Sequence, residues 1–243
     1  MAVQRKKQGT QARPVEEAST SVTFFILVTV GVVVLVLGSM EWLQENLWVQ
    51  GQKLWIISRS AAIAAYVLLT VVVMVGILLS HPRNKDTWRL TKYLLPWHQT
   101  LIASFTSLLI IHIFFTVTDA KSGITWHDVA FPIDSIYHPY AMVAGAIGLY
   151  SFAAVSITAA LRKWIPRKLW LPLHRGSWLV WIVVLLHGLF GGTDTVELRW
   201  LYLITGVLVV GTVFWRHWSN NELHRPHPVS SSTTPESIRF KTQ

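Results

Sequence analysis

The stretch Trp97–His112, WHQTLIASFTSLLIIH, is apolar enough to lie in a bilayer and carries a histidine near each end, His98 and His112. A second stretch repeats the pattern at Leu173–His187, LHRGSWLVWIVVLLH, with His174 and His187. The spacings are H-x13-H and H-x12-H. At 1.5 Å per helical residue each pair is separated by about 20 Å along its helix. An ionisable residue inside a membrane helix is costly, so even one is a candidate functional residue. Two pairs at matching depths form a pattern.

Around these stretches the chain is a membrane protein. Of its 243 residues 52% are hydrophobic and only 14% charged, and its mean hydropathy is +0.43. A soluble domain carries roughly 25% charged residues, so a water-soluble globular enzyme is excluded. A hydrocarbon core of roughly 30 Å needs about 20 helical residues. Six stretches of that kind are present, approximately Val22–Met40, Ser60–Ser80, Trp97–Val117, Tyr140–Leu161, Leu173–Phe190 and Leu198–Phe214. The expected fold is all-α, a polytopic six-transmembrane-helix bundle. It divides into an N-terminal arm at 1–21, the membrane domain at 22–216 and a polar, disordered tail at 217–243. The first apolar run is too long for a signal peptide, and Ser39-Met40-Glu41 is not a small-x-small cleavage site.

The formal charge of +9 reports topology. With the N-terminus inside, the inner segments hold 17 Lys and Arg and the outer ones 4, namely Lys53, Arg59, Lys121 and Arg199. The positive-inside rule then puts both termini in the cytoplasm of a multi-pass plasma-membrane protein. No basic cluster is interleaved with aromatics on a soluble fold, so no nucleic acid is expected. Many of the 13 tryptophans bracket spans, as interfacial anchors do, and Glu41–Trp55 reads as a segment along the outer interface. Cysteine is absent, which excludes disulfides, thiolate-ligated clusters and covalent haem attachment through C-x-x-C-H. No G-x-G-x-x-G follows a strand, so no built-in flavin or nicotinamide domain is expected. His224 and His227 in the tail read as solvated.

Neutral imidazole is an axial ligand for haem iron, and a haem held from both sides needs one histidine from each of two facing helices. The sequence offers that twice, at the inner depth with His98 and His174 and at the outer depth with His112 and His187. The other reading is four core histidines bonded to neighbouring helices. Fourteen residues are two heptads, so His98 and His112 share one seam. Thirteen are not: on an ideal helix His174 and His187 stand about 140° apart. Pro172 and Gly176 predict an irregular start to this span that changes the offset.

These spans, the two spacings, the Leu173-His174 pair and the string His187-Gly188-Leu189-Phe190-Gly191-Gly192-Thr193-Asp194-Thr195 resemble the ferric reductase-like transmembrane domain, over about residues 20 to 216. That family is shared by NADPH oxidases, ferric reductases and the haem-binding membrane subunit of the periplasmic methionine sulfoxide reductase system. The likeness is to standalone bacterial members without a flavin domain. It implies two b-type haems, His98 and His174 ligating the inner iron, His112 and His187 the outer. One departure is Tyr137-His138-Pro139, where similar proteins often show Tyr-Arg-Pro. Arg175, beside His174, suits a haem propionate or a positive-inside anchor. Small residues that would let a macrocycle approach the backbone are Ala61, Ala62, Ala64, Ala65, Gly145, Gly148 and Gly188; they equally serve helix packing. Asp119, His127, Asp128, Asp134, His138 and Asp194 are expected near the outer end, as a carboxylate site for ferric iron or as a solvated acidic face.

The function implied is transmembrane electron transfer. The donor is a cytoplasmic flavoprotein reductase, a bound flavin, or a quinone/quinol at the cytoplasmic side. The acceptor outside is ferric iron, dioxygen or a partner protein. The chain would thus be the membrane subunit of an oxidoreductase with a separate electron donor. Two alternatives stand: a non-redox transporter or scaffold whose histidines line a proton or metal path, and the di-haem anchor of a quinol-oxidising complex. Pro96, Pro139, Pro166 and Pro172 cluster at span ends, whereas a transporter's broken helices are interrupted near mid-bilayer.

Overall fold

The computed structural model describes residues 51–80 and 85–223, with side chains outside 85–93 and 219–223, and the single helical positions Leu27, Val30, Gly31, Val34 and Gly38. Most of the first expected span, the N-terminal arm and His224 and His227 lie outside the described residues. Within them the chain is all-helical, without a strand.

Seven α-helices follow in order: α1 Lys53–Leu79, α2 Lys85–Thr118, α3 Trp126–Ala130, α4 Pro139–Ala160, α5 Arg167–Arg175, α6 Trp178–Gly191 and α7 Thr195–Leu223, with a 3-10 turn at Pro132–Asp134. Among the described residues five stretches are long and apolar enough to cross a membrane: Lys53–Leu79, Leu94–Thr118, Pro139–Ala160, Arg167–Gly191 and Thr195–Trp218. They correspond to expected spans two to six.

The differences lie at the ends. α1 begins at Lys53, so Trp55 and Arg59 belong to a membrane helix and not to an outer loop. Hydropathy placed the start at Ser60 because it penalises Arg59, whose charge is paired within the bundle. α7 runs to Leu223, past the expected tail boundary at 217, because no helix breaker occurs before Pro226.

The stripe Ser58, Ala61, Ala65, Leu69 and Val72 of α1 is buried at helical spacing. It packs extensively against α2 and also touches α6 and α7, while α4 packs on α6. α2 and α6, which carry His112 and His187, make no extended backbone contact with each other. They face across a gap between the two packed pairs. Serine and threonine hydroxyls at Ser104, Thr106 and Thr116 bond carbonyls one turn back, so no donor is left facing hydrocarbon there. Mid-bundle, Tyr66, Phe105, Trp181 and Tyr202 are buried together. Trp181 Nε1 donates to Thr70 Oγ1 at 2.9 Å, and the Tyr66 and Thr205 hydroxyls bond at 2.6 Å. Trp181 is the buried exception among tryptophans such as Trp97, Trp126, Trp164 and Trp200, all exposed as anchors would be.

Candidate functional site: two histidine pairs

The Pro172–Gly176 irregularity is present. The span divides into α5 and α6, and the joint is wound tightly. Ser177 N donates to His174 O, Leu179 N to Gly176 O and Val180 N to Ser177 O, all three-residue steps. Each such step turns about 20° more than an α-helical one, so three remove about 60° of the 140° offset.

His98 and His174 meet with ring centroids 6.3 Å apart and planes at 85°. Two imidazoles binding one metal from opposite sides, at about 2 Å per metal–nitrogen bond, stand with centroids roughly 6 to 6.5 Å apart. The Nδ1 atoms of both rings are buried without a well-aligned hydrogen bond among the described residues, although the Val72 backbone of α1 stands within bonding reach of the His98 ring. Gly76 of α1 leaves room for this pair: a Cβ there would stand 3.3 Å from His98 Cε1. Arg175 is exposed and has no ion pair among the described residues.

The second pair is held differently. His112 Nδ1 lies 3.1 Å from the Ser58 carbonyl and 3.0 Å from Ser58 Oγ. His187 Nδ1 lies 2.7 Å from the Ala141 carbonyl. A carbonyl only accepts, so in both rings Nδ1 carries the proton and Nε2 keeps its lone pair. That is the tautomer a metal-ligating histidine uses, with its second nitrogen tied to the backbone. Both rings line a cavity of about 580 Å³ between α1, α2, α4, α6 and α7, within the roughly 300–1,000 Å³ of cofactor and ligand pockets. Ala62 and Ala65 line it, whereas Ala64 faces outward. Gly145 is indispensable to the packing: a Cβ there would fall 2.7 Å from His187 Nδ1.

Sequence reasoning missed Arg59. Its guanidinium lines the same cavity and pairs with Asp194, and its Nε is buried without a hydrogen-bond partner among the described residues. The Gly-Thr-Asp-Thr string builds the turn that presents Asp194. Thr195 Oγ1 donates to Gly192 O at 2.8 Å, and Asp194 O accepts from Leu198 N to start α7. Tyr137 ties its own segment to that turn through Gly191 O at 3.0 Å. The available signal was the cation Arg59 two residues before the alanine-rich run that begins at Ala61.

The expected carboxylate site for iron does not form. Among the described residues no three His, Asp or Glu side chains converge on a metal position. Asp119 is buried, Asp194 answers Arg59, and Asp128 closes a capping box with Thr125. The Thr125 hydroxyl and backbone N–H hold the Asp128 carboxyl below the usual carboxylate range. His138 is exposed, with a left-handed backbone at φ 35°. Comparison with family models, curated proteins and solved structures finds no match for this chain.

A haem ligated by two histidines would require the ring separation seen at one position and the tautomer, cavity and small-residue cradle seen at the other.

Proposed function

We propose that this chain is a haem-binding membrane subunit of the ferric reductase-like type that conducts electrons across the plasma membrane. His98 and His174 would hold one b-type haem, His112 and His187 the other. The donor is a cytoplasmic flavin or quinol, and the acceptor outside is ferric iron, dioxygen or a partner enzyme. The observation that carries the reading is the meeting of two histidine pairs at two depths of an apolar bundle. Six spans with both termini inside, the orientation favoured by the loop charges, would put the His98–His174 pair on the cytoplasmic side. Haem with two imidazole ligands supplies one-electron ferric–ferrous chemistry without an open coordination site.

The chain's own part is orientation and exclusion. The Ser58 and Ala141 carbonyls fix the ring planes of His112 and His187 and raise their basicity as ligands. Gly145 gives the His187 ring its place on α4. The buried cluster of Tyr66, Phe105, Trp181 and Tyr202 keeps water out between the pairs. Arg59 brings a positive charge to the His112–His187 end, where it would favour an anionic group such as a propionate.

Haemochrome assay and reduced-minus-oxidised spectra of detergent-purified protein test this. The expected result is two b haems per chain, with His98→Ala and His112→Ala each retaining one. Folded protein that takes up no stoichiometric haem would overturn it in favour of a transporter or scaffold.

A further inference from the structure

The connection between α2 and α4, residues 119–138, does not rise off the bundle. Its inward side is packed: Ile124, Pro132 and Ser135 are buried, and Val129 and Tyr137 line the cavity. Its outward side is apolar. Trp126 is 57% exposed, Phe131 65%, Ile133 81% and Ile136 100%. One exposed apolar side chain is ordinary, but four within eleven residues form a patch that calls for an occupant.

The depth of the segment is set by one hydrogen bond. The Tyr150 hydroxyl donates to the Ala130 carbonyl at 2.7 Å. Tyr150 lies eleven residues after Pro139, about 16 Å along α4. Helical side chains lean toward the N-terminus and recover only part of that distance. Ala130 therefore lies beside α4, past its first turn, and not beyond its end. α4 has 22 residues, about 33 Å, which barely exceeds the hydrocarbon core. A segment folded back along its flank is within reach of lipid.

The patch also continues an existing lipid-facing surface. Tyr140, Ile147, Tyr150 and Ile157 are exposed along one face of α4, at the i, i+7, i+10, i+17 spacing of a single helical stripe. The segment adjoins that stripe at Ala130, which Tyr150 bonds. The aqueous limit is set by Asp134, which is exposed, and Asp128, which is half-buried, and by an irregular backbone that hydrocarbon does not tolerate.

We infer that residues 126–136 form a membrane-interfacial wedge, with Trp126, Phe131, Ile133 and Ile136 at the headgroup–acyl boundary and the two aspartates at headgroup level. Lipid is the occupant of the patch. The wedge anchors the roof of the His112–His187 cavity to the bilayer surface, and this holds whatever the cavity binds.

The absence of cysteine makes the test direct. Phe131→Cys, Ile133→Cys and Ile136→Cys, each spin-labelled in the full-length chain, are placed in phosphatidylcholine–phosphatidylglycerol nanodiscs. Ser230→Cys in the polar C-terminal segment serves as the aqueous reference. The ratio of oxygen to nickel-chelate collision rates is expected to rise several-fold over the reference at all three positions. Chelate access equal to the reference at these positions would overturn the wedge and leave the patch to a protein partner.

Discussion

At the His112–His187 end each imidazole is tethered through Nδ1 to a backbone carbonyl, and the rings border a cavity of about 580 Å³. At the His98–His174 end the rings stand 6.3 Å apart, His174 Nδ1 has no partner among the described residues, and the His98 ring has the Val72 backbone beside it without a well-aligned bond. One end is organised before anything binds. The other leaves His174 Nδ1 buried without a partner among the described residues, and only the Val72 backbone of α1 stands beside the His98 ring. Pre-organisation comes from neighbours: α1 and α4 lend carbonyls to the first pair, whereas His174 sits on the short α5 beside a tight turn.

Two glycines give the largest contrast between the ends. Gly145→Ala puts a methyl 2.7 Å from His187 Nδ1, where Gly76→Ala puts one 3.3 Å from His98 Cε1. The first change should force His187 off the Ala141 carbonyl, at an overpacking cost of about 1–3 kcal/mol, and under the proposed function it should lower haem content from two per chain toward one. The second needs a shift of a few tenths of an ångström and should leave haem content unchanged. Haemochrome stoichiometry and thermal midpoints of both variants decide this. Equal losses would show that the tether is not what distinguishes the ends.

Arg59 should give an intermediate effect. Its side chain and that of Asp194 are 19% and 27% exposed. The cost of Arg59→Ala therefore falls between the roughly 0–1 kcal/mol of a surface pair and the roughly 3–5 kcal/mol lost on orphaning a buried charge. Removing Asp194 as well should recover part of that loss in a double-mutant cycle on thermal midpoints. Strict additivity would mean that the two side chains do not interact.

The smallest effect belongs to the wedge. Asp128 titrates below the ordinary carboxylate range in the folded protein because Thr125 bonds its charged form. Its contribution is thus complete above the unfolded-state value and is lost as pH falls through the lower folded value. Spin-label mobility at Phe131→Cys should increase over that acidic window, and Asp128→Asn should abolish the dependence. Mobility that is flat with pH in the parent would separate the wedge from its capping box.

Much of the arrangement was legible in the chain. Hydropathy located five of the expected spans to within several residues, because transfer into hydrocarbon is dominated by local composition. The erring boundaries, Lys53 for Ser60 and Leu223 for 216, arose where a charge is paired inside the bundle or a helix continues past its apolar part. The four histidines were visible as intramembrane ionisable residues, and Pro172 with Gly176 marked the joint that changes their offset. The acidic residues near the outer end were visible too, but not their partners: Asp128 bonds its own neighbourhood and Asp194 reaches Arg59, more than a hundred residues away. The apolar side chains of 126–136 gave no periodic signal, since the segment is too short and too irregular to show one.

The sequence by itself determined that this chain is helical and membrane-spanning, and which of its spans carry histidines. Those properties follow from composition and local spacing. Only the tertiary structure decided that His112 and His187 are firmly tethered while His174 is not, that Arg59 is an internal residue, and that the α2–α4 connection folds back along α4. Each depends on which carbonyl, carboxylate or hydroxyl a distant helix brings alongside, and the packing of α1, α4 and α6 sets those juxtapositions.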